Sequence, residues 1–137
     1  MKQLSCGILI TDGKSVLGCL PTGRQVFDII KGRQEEGETF SQTAIREAKE
    51  ETGLIIKENQ LEDLGHFQYI KTKDLHLFKM KVEKMPDTKK LKCSSYFTIG
   101  TKSVPEMNGY EIINFSEIDK FMPSMKIVIE KALKIGN

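Results

Sequence analysis

The sequence has little of what defines several large classes of protein. It contains no tryptophan and only three cysteines among 137 residues. Cys6, Cys19 and Cys93 are widely spaced, with no Cys-x-x-Cys pair and no nearby histidines, so they do not fit a disulfide framework or a zinc site. We expect three reduced thiols that serve mainly as core packing.

Long apolar runs and a surplus of one charge are also missing. The first ten residues carry one lysine and a short apolar stretch, well below the roughly 18 residues of a membrane-spanning segment. The formal net charge is only +2, which does not favour binding to duplex DNA. These features predict a cytoplasmic protein with no membrane partner, and they leave room for a small anionic ligand bound by a local basic cluster.

Length and composition bound the architecture. A chain of 137 residues that is 39% hydrophobic is typical of one domain, here residues 1–137, around a single core. Apolar runs between turn residues predict strands, and the first two form a hairpin because Asp12-Gly13 supplies the positive φ of a tight turn. The predicted strands are residues 5–10, 15–20, 26–30, 61–70, 75–82, 94–99 and 110–115.

Two helices are predicted among these strands. Residues 39–52 contain no glycine or proline, Thr39 and Gln42 form a capping box, and Gly53 stands at the C-cap. A second helix closes the chain, begun by a capping box of Ser116 and Asp119. Its apolar stripe is formed by Met125, Val128, Ile129, Ala132 and Leu133. One early and one late helix around strands predict an α/β fold, with a mixed β-sheet covered on both faces.

Three carboxylates share one edge of the first helix. Glu47, Glu50 and Glu51 are spaced i, i+3 and i+4, so they project from one side within about one turn. Like charges at this spacing repel each other, so such an edge either faces open water or holds cations. Arg46 precedes Glu50 by four residues and can also reach Glu38, which lets it orient the carboxylates.

The same residues resemble the signature of a known family. Gly32, five residues, Glu38, seven residues and then Arg-Glu-Ala-Lys-Glu-Glu-Thr-Gly-Leu at 46–54 are similar to the Nudix box. Ala48 is the one departure, at a position where the family has a bulky aliphatic residue. The pattern arises by chance in about one in a million chains of this length. The resemblance implies a Nudix-type α/β/α sandwich over the whole chain.

The resemblance also implies roles for the residues of the box. Glu47, Glu50 and Glu51 would bind Mg²⁺, with Mn²⁺ as a substitute, helped by the carbonyl of Gly32. Glu38 and Arg46 would form an orienting pair beside the catalytic glutamates. Hard oxygen ligands suit Mg²⁺, which bridges phosphate oxygens and can activate water for attack at phosphorus.

The general base is not identified by the box. In the family it is often a glutamate on a later loop, and our candidate is Glu106, with Glu111, Glu83 or a box glutamate as alternatives. His66 and His76 lie in predicted strands, and we expect them to be strand residues and not catalytic groups.

Candidate substrate contacts lie mainly upstream of the helix. Lys31, Arg24 and Arg33 are candidates for binding phosphate. Residues 27–32 begin with Phe27 and resemble a segment of Nudix enzymes that cleave dinucleoside polyphosphates and diphosphoinositol phosphates, with Ile30 where those enzymes have proline. Phe67, Tyr69 and Tyr96 either stack on a base or pack in the sheet.

The expected function is therefore a Mg²⁺-dependent pyrophosphohydrolase for a nucleoside diphosphate linked to another moiety. Dinucleoside or nucleoside polyphosphates are the favoured substrates. A nucleoside-triphosphate or nucleotide-sugar pyrophosphatase is the alternative with the same site. An RNA 5′-end hydrolase would be favoured only by the lysine-rich loop at residues 84–92. A non-catalytic nucleotide sensor would not need three mutually repelling carboxylates. Homodimerisation is left open by the sequence.

Overall fold

The computed structural model describes residues 3–135 and contains eight strands and two α-helices. The strands are β1 Gln3–Thr11, β2 Ser15–Pro21, β3 Ile30–Arg33, β4 Glu62–Ile70, β5 Lys73–Lys81, β6 Tyr96–Ile99, β7 Lys102–Pro105 and β8 Met107–Asn114. The helices are α1 Phe40–Thr52 and α2 Pro123–Leu133. Short 3₁₀ helices occupy Glu58–Gln60, Thr88–Lys90 and Phe115–Lys120. No helix within residues 3–135 is long and apolar enough to cross a membrane.

Strand β1 is the centre of a mixed six-stranded sheet. The strand order is β4-β5-β1-β2-β8, and β3 also pairs with β1. One edge of β1 pairs in parallel with β5. The other edge is shared, because β2 pairs with it at Thr11 and Val16, whereas β3 pairs with its earlier part from Ser5 to Ile8. Strands β4 and β5 pair with each other in antiparallel orientation.

Each face of this sheet is covered by one helix, as the sequence predicted. Along β1, Ile8 and Ile10 belong to the core cluster that contains Ala44 and Ala48 of α1. Leu9 points the other way, into the cluster that contains Met125 of α2. Because both faces are covered, residues 5–11 are buried without interruption. The arrangement is an α/β/α sandwich.

The predicted ends of α1 are confirmed. Thr39 accepts a hydrogen bond from the backbone N–H of Gln42, and the Gln42 side chain accepts one from the backbone N–H of Thr39. Gly53 adopts a left-handed conformation with φ of 80°, and its N–H donates to the carbonyl of Lys49. This conformation is easily adopted only by glycine, so the helix ends where the sequence places its last turn.

The third predicted strand is wrong in its position. The ladder covers Ile30–Arg33, so it shares only Ile30 with the predicted range of residues 26–30, and the rest of that range makes only isolated bridges, at Phe27 and Asp28. The apolar character of this stretch reflects burial between layers, since Ile29 and Ile30 are both buried but belong to different clusters. The apolar run therefore indicated that these residues are buried, but not that their backbone pairs in a strand.

Two further predictions are corrected. No strand was predicted between residues 99 and 110, but this stretch contains β7, which pairs with β6 in a separate two-stranded ribbon. The predicted capping box of Ser116 and Asp119 lies inside a 3₁₀ helix, and α2 begins later, at Pro123. Proline is favoured at a first helical position because its missing N–H would have no partner there.

Candidate active site

The three carboxylates of α1 differ strongly in exposure. The side chain of Glu50 is 37% exposed and that of Glu47 is 12% exposed, while Glu51 is 3% exposed. The residues opposite this edge, Ala48 and Thr52, are buried against the sheet. The edge therefore runs from solvent into the protein, which is unusual for a row of acidic side chains.

Arg46 connects these carboxylates to the loop before the helix. Its Nε and Nη2 donate to the two carboxylate oxygens of Glu38 at 2.7 and 3.1 Å. Its Nη1 donates to Glu47 at 2.8 Å and to Glu50 at 2.9 Å, and Nη2 also donates to the carbonyl of Arg33 at 3.0 Å. The bidentate contact fixes the guanidinium plane, so Arg46 holds the carboxylates in a defined order.

The environment moves the pKa values of these groups apart. The hydrogen bond from Arg46 lowers the pKa of Glu38 to about 2, and Glu38 in turn raises the pKa of Arg46. Burial raises the pKa of Glu51 well above its ordinary value, and the neighbouring Glu47 charge adds to the effect. Burial also raises the pKa of Glu47. Two carboxyl groups that resist ionisation together mark a place where a cation would be stabilised.

The backbone of β3 fits closely around the same carboxylates. A Cβ atom at Gly32 would lie 2.0 Å from the carboxylate carbon of Glu47, so only glycine leaves room for that side chain. The backbone N–H of Lys31 donates to Glu51 at 3.3 Å. Backbone oxygens and carboxylates are the donors that a hard divalent cation prefers, so the residues present fit such an ion.

A cation would have to compete with Arg46 at this edge. Within residues 3–135, no three acidic, histidine or cysteine side chains already converge in a geometry that could hold a metal ion. The Nη1 of Arg46 instead lies between Glu47 and Glu50, where it satisfies both carboxylates. Glu47 and Glu50 would thus have to exchange this contact for metal coordination.

A cavity of about 410 Å³ opens beside the buried end of the carboxylate edge. It is lined by four predicted site residues, Arg24, Lys31, Glu51 and Glu106. Phe27 packs instead against the cluster facing α2, and Arg33 is exposed. The structure therefore brings two of the four predicted substrate residues to the cavity and places Phe27 and Arg33 elsewhere.

The acidic candidates for a general base are separated by the sheet. Glu106 lies between β7 and β8 and lines the cavity, and its carboxylate accepts a hydrogen bond from Ser95 Oγ at 2.8 Å. Glu111 pairs with Lys120 of the last 3₁₀ helix, whereas its neighbour Tyr110 reaches α1 on the opposite face. Glu83 is exposed after β5. Of these three, Glu106 is the one that lines the cavity.

Comparison with known proteins gives the family. The family model of the NUDIX domain matches residues 1–125. The chain belongs to the Nudix family. Together with the shared fold, this match makes the protein a Nudix hydrolase.

Similar proteins include one relative by sequence and many by fold. An uncharacterised 17.7 kDa protein of the e-segB intergenic region of Enterobacteria phage T4 is 36% identical over 125 residues, which cover 82% of this chain and 83% of the phage protein. The E. coli dihydroneopterin triphosphate pyrophosphohydrolase aligns with a TM-score of 0.66 at 18% identity, over 99% of both chains.

A third similar structure contains ligands. It is the bifunctional NMN adenylyltransferase/ADP ribose pyrophosphatase of Francisella tularensis, complexed with AMP and a Mn ion, with a TM-score of 0.67 at 18% identity. The alignment covers 98% of this chain and 42% of that longer protein. At this level of identity the two structural matches show a shared fold.

Several residues of this Nudix cavity were missed by the sequence analysis. Asp28, Lys73 and Phe97 all line it. Asp28 is 3% exposed and its carboxylate pairs with Lys31 Nζ at 2.8 Å. An aspartate inside an apolar run was the available signal, because a buried charge needs a partner. Lys73 and Phe97 are exposed residues with no such signal in the sequence.

The two histidines of this Nudix domain are strand residues, as predicted, and they lie side by side in the sheet. His66 and His76 are paired across β4 and β5, and their Nδ1 atoms are 3.0 Å apart. His76 Nε2 is 2.7 Å from a carboxylate oxygen of Asp63, and its ring packs against Phe40. His76 is buried whereas His66 is exposed, and both rings contact Phe40 at the start of α1.

Proposed function

We propose that this Nudix hydrolase is a Mg²⁺-dependent pyrophosphohydrolase that acts on a nucleoside diphosphate linked to another moiety, with dinucleoside or nucleoside polyphosphates as the favoured substrates. The observation that carries the proposal is the position of Glu51. It is buried, it belongs to the carboxylate edge of α1, and it also lines the cavity that contains Glu106 and three basic residues. Glu51 would thus belong both to the proposed cation site and to the cavity that would bind the phosphates.

Glu47, Glu50 and Glu51, with the backbone of Gly32, would hold the divalent cation. When bound, Mg²⁺ would neutralise pyrophosphate charge and polarise the phosphoryl oxygens. Arg46 orients two of these carboxylates through its fixed contact with Glu38. The Mn ion bound to the Francisella protein supports a divalent metal in this fold, with Mn²⁺ as a substitute for Mg²⁺.

Glu106 would accept the proton of the attacking water. Water adds to one phosphorus, the bond from that phosphorus to the bridging oxygen breaks, and two phosphate-terminated products leave. The Ser95 hydroxyl donates to one oxygen of Glu106 and so fixes the carboxylate. Proton transfer requires a base within hydrogen-bond reach of the water, and Glu106 lines the cavity in which that water would lie.

Basic and aromatic residues in the cavity would bind the substrate. Arg24 is exposed there and can bind phosphate through two donors. Lys31 is held by Asp28, so its ammonium group is positioned but partly neutralised. Tyr69 and Phe97 line the same cavity and offer rings to a nucleobase. The AMP bound to the Francisella protein and the triphosphate named for the E. coli enzyme support a nucleotide-like ligand.

A substrate panel tests this function. Dinucleoside polyphosphates, nucleoside triphosphates, nucleotide sugars and ADP-ribose would be incubated with Mg²⁺ or chelator, and product release measured for wild type, Glu50→Gln and Glu106→Gln. We expect metal-dependent cleavage that falls at least 100-fold in both variants. Glu62→Gln is the matched control, because Glu62 is an exposed glutamate of β4 that forms an ion pair with Lys79 of β5. Binding of a nucleotide without any turnover would instead establish a sensor.

The RNA 5′-end alternative is favoured by one feature, the exposed lysines of residues 84–92. Lys89 and Lys90 are exposed on the 3₁₀ helix of this loop. Exposed lysines bind a phosphate backbone without regard to sequence. Replacing both by glutamate should weaken turnover of 5′-triphosphorylated RNA far more than turnover of free nucleotide. Equal effects on both substrates would eliminate this alternative.

A further inference from the structure

The last turn of α1 carries two of the three carboxylates proposed to bind the cation, and by itself it is a weak piece of helix. The last carbonyl groups of any α-helix have no N–H partner within the helix. Glu50 and Glu51 lie in this turn, where their negative charges meet the negative end of the helix dipole. Helix ends of this kind fray, so the positions of both carboxylates depend on what holds the turn.

Two carbonyls of this turn accept hydrogen bonds from a distant segment of the chain. The backbone N–H of Ser94 donates to the carbonyl of Glu50 at 2.7 Å, and that of Lys92 donates to the carbonyl of Thr52 at 3.0 Å. Both donors belong to the segment that precedes β6. Residues 92–94 thus supply partners that the helix itself lacks at its end.

The carbonyl of Glu51, between these two, is bound by a side chain. The hydroxyl of Tyr110, in β8, donates to it from 59 positions further along the sequence. The Tyr110 ring is half-buried and packs against the hydrophobic cluster between the sheet and α1. Packing holds the ring, so the hydroxyl stays where the carbonyl needs a donor. A substitution that deletes this single oxygen atom removes the bond.

Glu51 is therefore held from two strands. Its carbonyl accepts from Tyr110 of β8, and its carboxylate accepts from the backbone N–H of Lys31 in β3 at 3.3 Å. Tyr110 is not among the residues that line the cavity containing Glu106. The hydroxyl thus contacts the helix and not the place where the substrate would bind.

We propose that Tyr110 is a positioning residue for the cation site, and that its hydroxyl fixes the last turn of α1 so that Glu50 and Glu51 meet the cation together with Glu47. The proposal rests on the proposed function, because it requires these carboxylates to bind the cation. Without the hydroxyl, a half-buried carbonyl loses its partner, and the turn must shift or open to find another. Mg²⁺ demands nearly ideal octahedral geometry, so a shift of its ligands weakens binding.

Binding of Mn²⁺ in the absence of substrate tests this role. Free Mn²⁺ gives an electron paramagnetic resonance signal that is lost on binding, so a titration measures its Kd. In Tyr110→Phe we expect this Kd to rise roughly 10-fold, because a residue that orients metal ligands has been removed. Phenylalanine keeps the ring in the cluster, and circular dichroism at the temperature of the titration verifies that the variant is folded.

Two control variants separate positioning from stability. Tyr96→Phe makes the same chemical change at a tyrosine that is 55% exposed and whose hydroxyl, within residues 3–135, bonds no other residue. Ile129→Val shortens a buried side chain of the cluster facing α2, so it lowers the melting temperature without touching α1. Both should keep the wild-type Kd for Mn²⁺. A Tyr110→Phe protein that has a lower melting temperature but the wild-type Kd would overturn the proposal, because the hydroxyl would then only stabilise the fold.

A third variant separates this inference from the proposed function. Glu47→Gln/Glu50→Gln/Glu51→Gln should bind Mn²⁺ far more weakly than wild type, since it lacks all three carboxylates. If it binds as tightly as wild type, or if wild type binds no Mn²⁺, the cation site of the proposed function is wrong, and the role of Tyr110 is overturned with it. If this variant loses the ion while Tyr110→Phe binds it like wild type, the cation site stands and only the role of Tyr110 is overturned.

Discussion

Glu51 is a carboxylic acid in a position from which water is almost excluded. Its raised pKa means that the folded protein binds a proton more tightly than the unfolded chain does. As pH rises from the ordinary pKa of a glutamate towards that raised pKa, the unfolded chain ionises while Glu51 stays protonated in the fold, so the free energy of unfolding falls. The loss is complete above the folded pKa. A residue that weakens the fold in this way is retained for binding or catalysis.

We expect Glu51→Gln to stabilise the metal-free protein and to remove its activity. An amide can still accept the hydrogen bond from Lys31 but carries no charge, so the gain should be about 1–2 kcal/mol. Thermal unfolding in chelator at neutral pH measures it. Glu50→Gln is the control, because its more exposed side chain should change the melting temperature less. A Glu51→Gln protein less stable than wild type would contradict the argument.

Gly32 is required by close approach, since its backbone lies where a side chain would meet Glu47. We expect Gly32→Ala to displace the Glu47 carboxylate and to raise the half-saturating Mg²⁺ concentration about 10- to 100-fold. A titration of activity against Mg²⁺ measures this. Gly109→Ala is the control, because a Cβ there would make an ordinary contact with Leu20 at 3.4 Å. Unchanged Mg²⁺ dependence in Gly32→Ala would show that Gly32 has no part in the proposed metal site.

At the scale of elements, the loop between β3 and α1 is held to the helix by one carboxylate. Glu38 receives two hydrogen bonds from Arg46 and one from Thr43 at 2.8 Å. Its pKa falls from an ordinary 4.5 to about 2. A lowered folded pKa stabilises the protein fully above the unfolded value, and this contribution is lost as pH falls from about 4.5 towards 2.

We therefore expect wild type to be more stable than Glu38→Gln at neutral pH, and this difference in stability to shrink as pH falls. The melting temperature of wild type should exceed that of the variant above about pH 5, and the two should converge as pH falls towards 2. Melting curves between pH 2 and 7 check this. The exposed Glu36→Gln, in the same loop, should show no such convergence. A constant difference across the range would mean that the Glu38 charge is not what secures the loop.

The sequence predicted those elements that are determined by residues close together in the chain, and it missed those that depend on distant partners. The ends of α1 follow from Thr39, Gln42 and Gly53, which act within a few residues, and the edge of glutamates follows from helical spacing. Strand β7 was missed because none of its four residues, Lys102 to Pro105, is buried, so burial imposes no alternation of apolar and polar residues. Its existence depends on pairing with β6, which no local pattern records.

At the scale of the whole molecule, the sequence predicted the layers of helix and sheet but not which strands lie next to each other. The apolar stripes of both helices required a sheet covered on two faces, and that architecture is confirmed. The sharing of one edge of β1 between β2 and β3 could not be read from any segment alone. That pairing places Gly32 against Glu47, and the cavity joins Glu51 to Glu106, which is 55 positions later in the sequence. The box predicted the candidate ligands, whereas the cavity is a product of topology.

Since the carboxylate edge lowers the stability of the fold, a bound cation should restore that stability to the whole protein. A ligand that binds only the folded state adds RT ln(1 + [L]/Kd), or about 2.7 kcal/mol at a hundredfold excess over Kd. We expect the melting temperature of wild type to rise with the Mg²⁺ concentration and, above Kd, to keep rising with the logarithm of that concentration. Sodium chloride at equal ionic strength is the control. In a Glu47→Gln/Glu50→Gln/Glu51→Gln variant the rise should vanish, and its persistence there would place the stabilising cation at another site.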